Sequence, residues 1–298
     1  MNILLSGASG FLGSIIQKYF EELGHKVDSI GRSKENTIVA NLADFNSSIN
    51  TYYDLVIHAA GKAHMVPKNR DEEKMFFDVN LEGTKNLIKS LVKPPKNFVF
   101  ISTVAVYGLD YGIDIKEDNP LNANTPYGIS KKMAEEVVLK WSSENKVSTT
   151  ILRLPLVIGH NPKGNLINMI NGIKKGFYFN IGKGDAKKSM VLAEDIAIAI
   201  QTLLNHPGTY HLTDGYDPSF KELSKVIADH YKIKRVPSLS YFIIKPVALI
   251  GDLMGKISPI NSNKLNKITQ SLTFNDSKVK LTGWKPRQVL INKELWLN

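Results

Sequence analysis

Asn2-Ile3-Leu4-Leu5-Ser6-Gly7-Ala8-Ser9-Gly10-Phe11-Leu12-Gly13 is the stretch on which the fold turns. Its first five residues are a short apolar run of the kind that makes a buried parallel strand, and the glycine-spaced segment after them leads straight into an amphipathic helix. Gly7 permits a tight turn, Gly10 lets a pyrophosphate approach bare backbone, and Gly13 lets the helix pack closely on the sheet. The helix N-terminus offers unpaired N–H groups and a partial positive charge to the anion. Three spaced glycines also suit a plain tight turn, but their place directly after a strand favours a dinucleotide site.

Outward from this stretch, strands and helices alternate. The first helix runs from about Gly10 to Leu23, with Phe11, Leu12, Ile15, Ile16, Tyr19 and Phe20 at helical spacing, and Gly24 stops it. Strands are predicted at 27–30, 37–40, 55–58, 97–102, 149–157 and 209–212, with helices at about 76–91, from Pro126 onward, and at 195–204. This alternation specifies a Rossmann-like, doubly wound parallel α/β sheet. The expected division places residues 1–162 and 189–212 in the dinucleotide-binding domain, and 163–188 and 213–298 in a smaller, partly discontinuous cap over the substrate. Gly31-Arg32-Ser33 stands where an acidic residue for the NAD ribose usually ends the second strand. Arg32 suits a 2′-phosphate, which favours NADP, though a solvated turn arginine fits the spacing too. Asn41-Leu42 and Ala59-Ala60-Gly61 end the third and fourth strands, where small residues let a cofactor lie against backbone. His58 reads as structural, and Asn80 in mid-helix calls for a hydrogen bond to neighbouring strand ends.

Composition narrows the class. The 298 residues are 43% apolar and 22% charged, ordinary for a globular enzyme, and the absence of cysteine excludes disulfides and thiolate chemistry. With a strand opening at Asn2 and no apolar run of membrane-spanning length, a cytoplasmic location is expected. The net charge of +10 is concentrated in residues 221–298, which hold 14 Lys and Arg against 5 Asp and Glu, so that end meets anions. No recognition motif or basic-aromatic stripe supports nucleic-acid binding.

Tyr127 and Lys131 lie four apart at a helix start and so share one face. An ammonium near a phenol favours phenolate, so the pair is expected to lower the Tyr127 pKa and make it an acid/base near neutrality. Thr103, at a strand end in the same sheet, can hydrogen-bond the same substrate oxygen. Taken alone, these residues equally describe a surface pair and a strand-end threonine.

The order of motifs adds to this. Gly7-x-x-Gly10-x-x-Gly13, His58-Ala59-Ala60-Gly61, Asp78-Val79-Asn80, Ser102-Thr103 before Val106-Tyr107-Gly108, Tyr127-x-x-x-Lys131, Arg153-Leu154-Pro155 before Gly159, Asp195-Ile196-Ala197 and Gly283-Trp284-Lys285-Pro286 follow one another over nearly the whole chain. In this the chain resembles the extended short-chain dehydrogenase/reductase family, the NAD(P)-dependent nucleotide-sugar epimerases, dehydratases and reductases. The resemblance implies Tyr127 as acid/base, Lys131 as ribose ligand and tuner, and Thr103 as holder of the reacting oxygen. It implies cofactor contacts from Gly7, Ser9, Gly10, Phe11, Leu12, Arg32, Asn41, Leu42, Ala59, Ala60, Gly61, Asn80, Tyr127, Lys131 and Leu154, and substrate contacts from Thr103, Leu156, Asn165 and Lys188. No metal is implied, and dimers are common in the family.

Departures from the pattern narrow the reaction. The family's 4,6-dehydratases carry Asp and Glu after the catalytic threonine; Val104 and Ala105 stand here, which disfavours dehydration. The 4-epimerases have Asn at the place of Leu156 and an acidic end to the second strand. The segments around Arg153–Gly159, Lys163–Asn165 and Lys188–Val191 look most like bacterial enzymes that reduce a UDP-4-keto-6-deoxy-N-acetylhexosamine in surface-polysaccharide synthesis, with NADP as cofactor. The alternatives are an NAD-dependent UDP-hexose 4-epimerase, a reductase of small lipophilic carbonyls, and a non-catalytic dinucleotide-binding sensor. Lys188, where relatives often carry Arg, gives up the bidentate fork, and a solvated lysine fits it equally. Finally, the apolar stretch from Tyr241 to Ile257, flanked by Lys245 and Lys256, suits either a peripheral helix on an anionic membrane or a helix packed on the cap or a second subunit. Its poorly developed polar face favours the packed arrangement.

Overall fold

The computed structural model describes residues 1–63, 65–160, 162, 164–253 and 261–297. In chain order its elements are β1 (Asn2–Ser6), α1 (Phe11–Glu22), β2 (Lys26–Gly31), β3 (Ile38–Val39), β4 (Leu55–His58), α2 (Arg70–Phe77), α3 (Gly83–Ser90), β5 (Asn97–Thr103), β6 (Gly112–Ile115), α4 (Pro126–Asn145), β7 (Ser148–Leu154) and β8 (Leu156–Ile158). Then come α5 (Asn165–Lys174), β9 (Asn180–Ile181), β10 (Met190–Leu192), α6 (Ala193–Leu203), β11 (Gly208–His211), α7 (Phe220–His230), β12 (Ser238–Leu239), α8 (Tyr241–Leu253), α9 (Ser262–Thr269), β13 (Leu272–Phe274) and α10 (Ser277–Lys280).

Seven strands pair in parallel in the order β11-β7-β5-β4-β1-β2-β3, the doubly wound α/β sheet expected. The order reverses between β1 and β4, and a ligand crevice opens outside the carboxyl ends of strands at such a switch point. Helices cover both faces, which is why β1, β4 and β5 are nearly continuous apolar runs. Ile16 and Phe20 of α1 and Ile196 and Ile200 of α6 fill one side, joined by Val279 and Trp284 from the C-terminal region. Leu87 and Ile88 of α3 and Ala134 and Val138 of α4 fill the other. A further core joins α5, α7 and β10 with Val289 and Trp296.

Three elements differ from expectation. The third strand is only two residues long. The helix predicted at 76–91 begins at Arg70, capped by Asn69, and residues 78–82 widen into a π-helical turn around Asn80. The strand predicted at 149–157 breaks at Pro155, which has no N–H for a ladder; β7 stays in the main sheet while β8 pairs with β10.

Candidate active site

The turn after β1 is built as its glycines require. Gly7 has φ +79°, and a Cβ there would lie 2.6 Å from the Ala60 nitrogen. A Cβ on Gly13 would lie 2.0 Å from the Gly7 carbonyl oxygen, so the first turn of α1 packs directly on the loop. Gly10 is exposed, and as N-cap it leaves the first N–H groups of α1 without a side-chain partner. This bare cradle at a helix N-terminus, at the sheet's switch point, fits a dinucleotide diphosphate. Ser6 beneath it accepts from the Ala60 N–H at 3.2 Å and meets His58 Nδ1 at 2.5 Å, while His58 Nε2 meets Thr84 Oγ1 at 2.9 Å. His58 is fully buried, and burial, with the Lys131 charge adding to it, pushes its pKa down to about 3: it is structural, as expected. Phe11 packs on Gly159, where a Cβ would meet its ring at 2.8 Å, tying the loop to the segment after β8.

Thr125 caps α4 by accepting from the Gly128 N–H, and Pro126 stands in the first turn, which fixes Tyr127 at the helix start. The Thr103 hydroxyl faces the Tyr127 phenol closely enough to favour the phenolate. Thr103 Oγ1 accepts from the Ala105 N–H at 3.2 Å, which leaves its hydroxyl proton free to be donated. Lys131 is buried; its Nζ donates to the Ile101 carbonyl at 2.6 Å and lies 3.8 Å from the centre of the Phe100 ring. The electrostatics correct one expectation. Burial raises the Tyr127 pKa above its ordinary value, opposed by the Thr103 hydroxyl, so the phenol is protonated at neutral pH. The ammonium, expected to lower it, is itself drawn down to about 7 by burial, with Glu135 opposing.

Asn80 has the hydrogen bonds its mid-helix position demanded, though to a loop and to α4 instead of to strand ends. Its Oδ1 accepts from the Lys62 N–H at 2.7 Å, and its Nδ2 donates to the Lys62 carbonyl at 3.1 Å and to Ser130 Oγ at 3.0 Å. The π-turn gives this side chain its place inside the fold, between the loop after β4 and α4.

Behind Lys131 lies a buried network that the sequence reading missed. Glu135, one turn on, receives the Ser102 hydroxyl and a two-pronged Arg153 guanidinium, Nη2 to Oε2 at 2.8 Å. Arg153 Nη1 donates to the Tyr107 hydroxyl and to the Glu117 carbonyl, both at 2.8 Å, and Tyr107 meets His211 Nε2 at 2.7 Å. Two signals were available: a carboxylate at i+4 from Lys131, and an arginine between leucines in a buried strand, which needs a partner.

The outer predicted residues are less enclosed. Arg32 and Asn41 are exposed beyond β2 and β3, whereas Leu42 is buried in the core beside Gly83. Leu154 is buried at the end of β7, while Leu156 is exposed where its N–H donates to Ser189, one residue beyond Lys188. Burial pulls Lys188 down to about 8, with Asp110 opposing and Lys267 assisting. Asn165 opens α5 and is exposed.

Residues 3–212 match the model of the NAD dependent epimerase/dehydratase family. The chain is 27% identical to the UDP-glucose 4-epimerase of Vibrio cholerae, over 97% of this chain and 92% of that one. It is also 27% identical to the N-acetyl-alpha-D-glucosaminyl-diphospho-ditrans,octacis-undecaprenol 4-epimerase of Escherichia coli O157:H7, over 95% and 90%. Among solved structures, RMD from Pseudomonas aeruginosa complexed with NADPH superposes with a TM-score of 0.74 at 20% identity, over 98% and 96% of the two chains. With a glycine cradle at the switch point, a phenol and an ammonium on one helix face, and that match over the first 212 residues, the chain belongs to the NAD dependent epimerase/dehydratase family.

Proposed function

We propose that this protein reduces the 4-keto group of a UDP-linked 6-deoxy-N-acetylhexosamine with NADPH. The observation that carries the reading is the group around Tyr127: a buried phenol beside Thr103 at the carboxyl end of β5, with Val104 and Ala105 following in place of the acid pair an elimination needs. The hydride for the carbonyl carbon would come from a reduced nicotinamide held at the glycine cradle. Tyr127 donates its proton to the carbonyl oxygen, so the C=O bond becomes CH–OH and the phenolate is left to be reprotonated from solvent. Thr103 would orient the oxygen, and Lys131, close to half-protonated near neutrality, would stabilise the phenolate and hold the cofactor ribose. The exposed Arg32, at the place where an acidic residue for the NAD ribose usually ends the second strand, supports a cofactor with a 2′-phosphate. Lys188 and Asn165 are assigned to the substrate diphosphate.

A second reading, an NAD-dependent UDP-hexose 4-epimerase, is supported by the names of the two curated relatives, each matched over at least 95% of the chain. Absorbance at 340 nm (~, the reduced nicotinamide band) separates the two. A UDP-4-keto sugar should consume NADPH stoichiometrically; interconversion of UDP-GlcNAc with its 4-epimer, without net change in cofactor, selects the epimerase. Tyr127→Phe should keep cofactor affinity and lose about 10²–10⁴ in turnover. Near-normal turnover rules out the phenol as proton donor.

A further inference from the structure

The helix α8 has most of its large side chains facing outward, with Tyr241 and Ile244 half-buried. Ala248 and Gly251 are buried, and the large apolar residues Phe242, Ile243, Val247, Leu249, Ile250 and Leu253 are exposed, Phe242 at 83% and Leu253 at 89%. At 3.6 residues per turn these six span an arc of about 160° opposite the buried residues. The packed helix favoured by the sequence is therefore packed along one edge only, through Ala248 and Gly251 with Tyr241 and Ile244 half-buried beside them. This inverts the pattern of a surface helix in a water-soluble domain.

A second segment repeats the composition. Between α5 and β9 the turn Lys174-Lys175-Gly176-Phe177-Tyr178-Phe179 exposes Phe177 at 75% and Phe179 at 41%. Parallel pairing of β9 with β12, the strand leading into α8, and the Asn180 N–H bond to the Pro237 carbonyl join the end of this turn to the segment that carries Lys232, Lys234 and Arg235, and Lys174 Nζ lies 4.4 Å from the centre of the Tyr231 ring. Residues 230–251 carry four basic side chains, Lys232, Lys234, Arg235 and Lys245, and no carboxylate. The carboxylate that follows, Asp252, accepts hydrogen bonds from Ser262. Among the described residues no helix is long and apolar enough to cross a membrane, so this face can lie on a bilayer without spanning it.

We propose that α8 and the 174–179 turn form one face that docks the protein onto an anionic lipid surface. The exposed apolar side chains enter the acyl boundary while the lysines and arginine beside them meet the headgroups. A second copy of the chain is the competing occupant, and the charge decides against it: the same basic segments would face each other across a two-fold interface.

The test is co-sedimentation of the full chain with vesicles of phosphatidylcholine alone or mixed equally with phosphatidylglycerol. The protein should pellet with the anionic vesicles, less so as salt rises, and not with the neutral ones. Phe242→Ser and Leu253→Ser should each weaken partitioning about tenfold while leaving NADPH oxidation unchanged. In the wild-type chain, amide exchange over residues 241–253 should slow when anionic vesicles are added. Pelleting no greater than without vesicles, equal pelleting of the variants, or unchanged exchange overturns the proposal. So does sedimentation equilibrium showing a wild-type dimer that Phe242→Ser and Leu253→Ser dissociate, which assigns the face to a second copy.

Discussion

Replacing Arg153 by methionine should destabilise the folded chain by about 3–5 kcal/mol. The side chains of Arg153 and Glu135 are 7% and 2% exposed, and the guanidinium joins the carboxylate, the Tyr107 hydroxyl and the Glu117 carbonyl. Methionine keeps the buried stem but strips Glu135 of its hydrogen-bonded counter-ion, leaving it the Ser102 hydroxyl and the more distant Lys131 charge. Glu135→Gln should cost less, about 1–3 kcal/mol, because an amide still accepts from Ser102 and Arg153. The double variant removes both charges, and its loss should fall short of the sum of the singles by at least about 2 kcal/mol. Urea unfolding with linear extrapolation measures all four proteins. Additive losses, with coupling under about 0.5 kcal/mol, would refute the idea that the two charges act as a desolvated pair. The same cycle has a catalytic readout. Glu135 holds up the Lys131 pKa, which burial has drawn to about 7, so Glu135→Gln should move the alkaline decline of kcat/KM to lower pH, whereas loss of folding alone would leave its position unchanged.

The acid limb of stability should belong in part to His58. Its folded pKa is about 3 against 6.5 when unfolded, so below 6.5 the unfolded chain binds a proton that the native one refuses, and stability falls with pH; between pH 6.5 and 5 the loss from this group is about 2 kcal/mol. His211, also lowered by burial, adds in the same direction, and a urea midpoint flat over that window contradicts both. Gly13→Ala should weaken dinucleotide binding and lower Tm, because its Cβ collides with the Gly7 carbonyl oxygen. Gly10→Ala, whose Cβ meets only that oxygen at 3.1 Å, should weaken binding with little change in Tm; calorimetric titration and melting of the two variants together check the contrast. Asn80→Ala should cost about 1–3 kcal/mol and raise the KM for cofactor, since it leaves the Lys62 backbone N–H without its side-chain acceptor beside the crevice; an unchanged KM speaks against a positioning role.

The glycine-rich turn, the alternation into a parallel sheet and the shared face of Tyr127 and Lys131 were legible in the chain because they depend on local quantities: backbone freedom at glycine, periodicity, and spacing along one helix. Mid-helix Asn80 advertised its need for partners in the same way, but not which partners. What only the tertiary structure decided were pairings between residues far apart in sequence and the solvent each group is left with. The Glu135–Arg153 pair joins a helix to a strand, and the break at Pro155 shows only once β8 has β10 to pair with. The direction of the Tyr127 pKa turned on burial, with the Thr103 hydroxyl opposing it, and not on the Lys131 charge on which the sequence argument rested. Nor could the apolar stretch at 241–253 declare which side it faces, because hydrophobicity records a preference for leaving water and only the packed fold shows whether that preference has been met.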